Sequence, residues 1–254
     1  MCVWPYQMPI DPLSIALAII GIVIGGIVKG ATGAGAPIVA VPLLAVAFDV
    51  PTAVTIFTIP NLISNMWQAW QYREHNLSRR FILPLLIAAF VGAGLGTVML
   101  ISLPSEFLTT GVAIGCIAYI AFRLARPDWS LSLKTATRVV APVGLAAGVL
   151  QGAIGVSAPI SVTFLSALKL DRPVFIATIS AVFVAMSYAQ IPLIASAGLM
   201  TPTLIVFGFA ALGLVLITMP LGAALAQRWS PAVFSNIILV MLAVIALRLL
   251  ANLF

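Results

Sequence analysis

Two stretches of this chain carry residue types that suit the holding of an anion. Lys29, Gly30, Ala31, Thr32, Gly33, Ala34, Gly35, Ala36 and Pro37 follow one another inside a long apolar run. About half the chain later Gln151, Gly152, Ala153, Ile154, Gly155, Val156, Ser157, Ala158 and Pro159 do the same. Glycine lets a backbone turn and lets a ligand come close to it. Proline suits the first turn of a helix, where its missing N–H costs little. A helix restarting at Pro37 or Pro159 would aim N–H groups and the positive end of its dipole at the break behind it, which favours negative charge. Lys29 adds a full positive charge to the first break. The competing reading is close helix packing through the glycines, with Lys29 snorkelling to a surface; the duplication, the proline after each break and the polar Thr32, Gln151 and Ser157 favour a site.

A second polar set lies further on in each half. Asn61, Asn65 and Gln68 stand at i, i+4 and i+7, so one helix face carries all three. Ser187 and Gln190 repeat the last two, and Thr58 and Ser180 correspond one turn outward. Amides and hydroxyls in such a place either hydrogen-bond a bound oxyanion or join helices to one another. The acidic residues Asp11, Asp49, Glu74, Glu106, Asp128 and Asp171 all map to loops or segment ends, and the sole histidine, His75, lies in a basic loop. Coupling through a buried carboxylate is therefore disfavoured, and Asp49 and Asp171 read as caps before Pro51 and Pro173. Paired carboxylates, a Ser/His set and metal-ligand spacing are all missing from the apolar runs, so neither enzyme chemistry, a metal nor another cofactor is expected. Cys2 and Cys116 read as free apolar thiols.

The elements that position these residues must be membrane helices. Of 254 residues 63% are hydrophobic and 7% charged, far from the usual share of about 25% charged in a soluble domain. Long apolar runs without alternation are expected to be α-helices, because in lipid the backbone must satisfy itself. The runs are 13–28, 33–48, 52–70, 81–101 and 107–122, then 139–150, 155–168, 173–195, 202–226 and 231–250. At a constant shift of 122 positions Gly26 matches Gly148, Gly30 Gly152, Gly33 Gly155, Pro37 Pro159, Asp49 Asp171, Pro51 Pro173 and Gln68 Gln190. An internal duplication is expected: repeat one over 12–124, a linker over 125–137 and repeat two over 138–252, in a single transmembrane domain. Each repeat is predicted as a short broken helix pair plus three transmembrane helices, eight to ten segments in all, in an all-α polytopic fold.

Loop charges set the orientation. The net charge of +6 is read as cytoplasmic loops and not as a nucleic-acid surface. With an odd number of crossings per half and the N-terminus outside, Arg73, Arg79, Arg80, Arg123, Arg126, Lys134, Arg138, Lys169, Arg172 and Arg228 all fall inside. An even number would strand Lys169, Arg172 and Arg228 outside. Odd repeats are inverted relative to one another, and the two breaks are expected to enter from opposite faces and approach near the midplane. An anion leaving a negative interior gains about 2.3 kcal/mol per charge per 100 mV, so export needs no coupling ion. The expected partners are a small anionic substrate and the lipid bilayer, with a homodimer left open.

The motif from Gly26 through Gly30, Ala31, Thr32, Gly33, Ala34, Gly35, Ala36 and Pro37, followed by Val41, Pro42, Leu43 and Leu44 and echoed from Gly148 to Pro159, resembles the sulfite exporter TauE/SafE family. The resemblance covers nearly the whole chain. It implies a bacterial inner-membrane permease for sulfite, sulfoacetate, other sulfonates or thiosulfate, acting in export or uptake. The family's glycine motif then falls on Gly30, Gly33, Gly35 and Pro37, and on Gly152, Gly155 and Pro159, with Ser157 in place of a third glycine. Export of a sulfur-containing anion is the expectation; an anion channel or an uptake permease on the same scaffold is the alternative.

Overall fold

A computed structural model describes residues 11–126, 129–228 and 231–251; Cys2 and Asp128 lie outside them. Among the described residues the chain is helical and without strands. It forms α1 (Pro12–Thr32), α2 (Ala36–Ala47), α3 (Val50–Gln71), α4 (Arg79–Ser102), α5 (Ser105–Ala125), α6 (Leu133–Ile154), α7 (Ser161–Ala167), α8 (Arg172–Ser196), α9 (Pro202–Arg228) and α10 (Pro231–Ala251). Six of these, α1, α4, α5, α6, α8 and α9, are long and apolar enough to cross a membrane. Helix α3 is as long, at 22 residues, but Asn61, Ser64, Asn65 and Gln68 on it are buried. Enclosed by other helices, it has little need of an apolar outer face.

Local chemistry explains the helix ends. Asp11 begins α1 by accepting the N–H groups of Leu13 and Ser14, and Asp49 begins α3 by accepting that of Thr52 at 2.8 Å, as N-cap carboxylates do. Asp171 precedes α8 without a side-chain cap bond. Helices α1 and α6 both stop at a glycine in the left-handed region, Gly33 at φ 83° and Gly155 at φ 70°. Their N–H groups return to Lys29 O and Gln151 O, the ending glycine allows at a helix C-terminus.

The first arms of the two broken pairs are longer than their apolar runs suggest, 21 residues in α1 and 22 in α6. The second arms are short, 12 residues in α2 and 7 in α7. Lys29 and Gly30 do not interrupt α1. A side chain at Gly30 would strike the backbone of Met219 on α9, and one at Gly152 the backbone of Ala93 on α4. Close helix approach at these glycines offsets their low helix propensity of about 1 kcal/mol. The breaks therefore fall at residues 33–35 and 155–160, with Gly30 and Gly152 one turn inside the preceding helices. Pro37 stands in the first turn of α2 as expected, whereas Pro159 lies in a turn ahead of α7.

Packing follows pairs. Helix α1 lies on α9 and α6 on α4; α3 lies on α9 and α8 on α4; α5 meets α10, and α3 meets α8. Under the 122-residue correspondence, each of these pairings maps onto another or onto itself. Helices α3 and α8 run antiparallel through the centre, where Asn61 meets Ser187 and Gln68 meets Ser180.

Candidate anion site

Helix α8 fixes both breaks. Arg172 Nη2 donates to Gly30 O at 3.3 Å and Ala31 O at 3.4 Å, while Gln190 Nε2 donates to Gln151 O and Gly152 O, both at 3.3 Å. Gly30 O, Ala31 O and Gly152 O lie in the last turns of α1 and α6, where carbonyls run out of intrahelical partners, while Gln151 O also accepts the N–H of Gly155. Gly33 packs on Ile176 of α8, and Gly155 on Val54 of α3 and Val41 of α2. Ile176 and Val54 lie near opposite ends of the antiparallel pair, roughly 25 Å apart along it at a rise of 1.5 Å per residue. The break backbones thus stand at the two ends of the α3/α8 pair instead of approaching one another. What reaches between them is side chains from the turn before each break.

From the first side comes Lys29. Its Nζ donates to Asn65 Oδ1 at 2.7 Å, and Asn65 Nδ2 donates in turn to Asn61 O at 2.6 Å and Asn61 Oδ1 at 2.9 Å. Asn61 Nδ2 donates to Ser187 Oγ at 3.2 Å, which carries the chain from α3 to α8. From the other side comes Gln151, whose Oε1 accepts from Ser157 Oγ at 3.0 Å. Gln151 and Asn61 share a gap with Val41, Val54, Phe57, Thr58 and Gly155 that is too narrow for a water molecule. Lys29 is 1% exposed, and Asn61, Asn65, Gln68, Gln151, Ser187 and Gln190 are buried with it.

The remaining sequence candidates are part of the breaks themselves. Thr32 Oγ1 accepts from the N–H groups of Ala34 and Gly35 at 3.2 and 3.1 Å and donates to Val28 O. It therefore caps two donors that the sequence offered to a ligand. Ala36 is buried at the start of α2, and Val156, Ser157 and Ala158 are buried in the second break. Sequence reasoning passed over Ser161, whose Oγ lies 3.0 Å from Ser157 O, and Arg172, which it read only as a loop charge. The i, i+4 spacing of Ser157 and Ser161 was the available signal for the first; Arg172 had none, because its partner carbonyls are 142 and 141 residues away.

Chemically, the centre is a buried lysine side chain ringed by amides and hydroxyls. Among the described residues no carboxylate lies within ion-pair distance of Lys29. A buried charge without a counter-charge is costly, and an oxyanion arriving at Lys29 would supply one while accepting from amide N–H and hydroxyl groups. A larger cavity, about 770 Å³, opens beside Ala31 and Thr32, where Arg123, Lys169, Arg172 and Ala226 come together.

The family model described as sulfite exporter TauE/SafE matches residues 17–249 of the chain. No curated protein and no solved structure matches it.

Proposed function

The chain belongs to the sulfite exporter TauE/SafE family of membrane transporters, and from that premise we propose that it exports a sulfur-containing anion such as sulfite, sulfoacetate or another sulfonate. The observation that carries this reading is Lys29, buried, bonded to Asn65 and without a carboxylate partner among the described residues. The anion sits between the breaks. Lys29 neutralises its charge, and Asn61, Asn65, Gln151, Ser187 and Gln190 orient its oxygens.

The two halves act as inverted repeats, repeat one over 12–124 and repeat two over 138–252. The reciprocal pairing of α1 with α9 and α6 with α4, and the antiparallel crossing of α3 and α8, support this. An odd number of crossings per half, with the N-terminus outside, also accounts for Arg123, Lys169, Arg172 and Ala226 bordering one cavity; an even number would put Arg123 across the bilayer from the rest. Rocking of one repeat against the other exposes Lys29 alternately through each break. The narrow gap at Gln151 is the closed side, and the 770 Å³ cavity is the open one.

Export follows from energetics, since an inside-negative potential drives an anion outward by about 2.3 kcal/mol per charge per 100 mV. The test is efflux from proteoliposomes loaded with labelled sulfite or sulfoacetate. Efflux should speed up when the interior is made negative and slow when it is made positive. Efflux indifferent to the potential would contradict uncoupled export, and no efflux of any sulfur anion would contradict the substrate class.

A further inference from the structure

The cavity beside the first break is built differently from the centre. It is bordered by the C-terminal ends of α1, α5 and α9, the loop from α7 to α8, and α10. Arg123, Lys169 and Arg172 supply positive charge, and among the described residues no carboxylate lines it. Thr163 and Ser166 add side chains of α7 to the lining. Only Nη2 of Arg172 reaches the α1 carbonyls, and a guanidinium has five N–H donors. Lys169 is the one non-glycine among the described residues with positive φ, at 50°, a conformation that L-residues adopt rarely. Around these groups the walls are apolar, with Val162, Leu165, Leu170 and Phe175.

We propose that this cavity is a second anion site, separate from Lys29, that binds an organic anion through a charged head on Lys169 and Arg172 and an apolar body on the walls of α7 and α8. Size argues for the organic class. A cavity of about 770 Å³ falls in the range of roughly 300–1,000 Å³ that encloses organic ligands of drug size, and a bare sulfite would leave most of it unfilled. The site rests on the transport reading only for its role, as the place where an anion waits before the first break opens; its existence is independent of transport.

The test is calorimetric binding of methanesulfonate, butanesulfonate and hexanesulfonate to the purified protein in zwitterionic nanodiscs. Burial of added methylenes predicts that hexanesulfonate binds at least about tenfold tighter than methanesulfonate. Lys169→Gly, which relieves the left-handed backbone while removing the charge, should keep or raise the melting temperature and weaken hexanesulfonate by about tenfold; Arg172→Gln should weaken it similarly. Lys29→Ala should bind hexanesulfonate as the wild type does even where it no longer transports. Equal affinity along the series, or wild-type binding by Lys169→Gly and Arg172→Gln, overturns the proposal. Binding lost in Lys29→Ala alone overturns it too and leaves the central site standing. Loss of probe binding when anionic lipid replaces the zwitterionic lipid reassigns the cavity to a lipid headgroup and overturns it as a site for a soluble anion.

Discussion

At the scale of single residues, Lys29 is kept inside a membrane protein by a relay of amides. Asn65 is the side chain that holds Lys29, and Asn65 is itself held by Asn61. Hydrogen bonds to charged groups contribute about 1.5–3 kcal/mol, and stranding one partner of a buried charge costs more. Asn65→Leu should therefore destabilise the protein by about 2–4 kcal/mol, seen as a lower melting temperature in a fixed detergent. Adding Lys29→Met to that variant should recover much of the loss, because the stranded charge is gone; additive losses would mean that the two side chains are not coupled. The amide face was legible in the sequence, since i, i+4 and i+7 spacing places Asn61, Asn65 and Gln68 together whatever the tertiary fold. That Lys29 joins it was not legible, because the contact spans 36 residues and depends on how α1 leans on α3.

At the scale of helices, glycine does two jobs that composition alone does not separate. Gly33 and Gly155 end helices in a left-handed conformation, while Gly26, Gly30, Gly148 and Gly152 allow neighbouring backbones to approach. Gly152→Val would drive a side chain into the carbonyl of Ala93 and the backbone near Thr97, so it should abolish the folded, monodisperse protein on size-exclusion chromatography. Gly213→Ala is the control: nothing lies within reach of its added methyl, and it should keep the fold and raise its stability by up to about 1 kcal/mol. Ten apolar runs were readable in order, because hydropathy reports burial in lipid directly. The length of α1 was not: Lys29 and Gly30 look like an interruption until α9 is seen against them. That extra helical turn is one reason why the breaks sit at the ends of the α3/α8 pair and the side chains before them fill its middle.

At the scale of the whole molecule, the duplication and the loop charges predict an arrangement in the bilayer that chemistry can check. With Cys2 and Cys116 replaced by alanine, single substitutions Asn76→Cys and Ser130→Cys should be protected from a membrane-impermeant maleimide in intact cells, and Ser196→Cys should react. Ser130→Cys and Ser196→Cys reacting from the same face would contradict the odd number of crossings per half. The recurrence of Asp49, Pro51 and Gln68 at one shift was legible; the register of α3 against α8, which decides how far apart the breaks lie, was not, since antiparallel pairing leaves no trace in either helix alone. On the proposed function, an anion is held by Lys29 between the two breaks. Counterflow of labelled sulfite or sulfoacetate into proteoliposomes, compared between wild type and Lys29→Ala at matched protein content, tests it most directly. The predicted result is a fall of about ten- to a hundredfold, the worth of one charge-assisted contact, with the variant still folded; exchange at the wild-type rate would remove Lys29 from the site and contradict the claim.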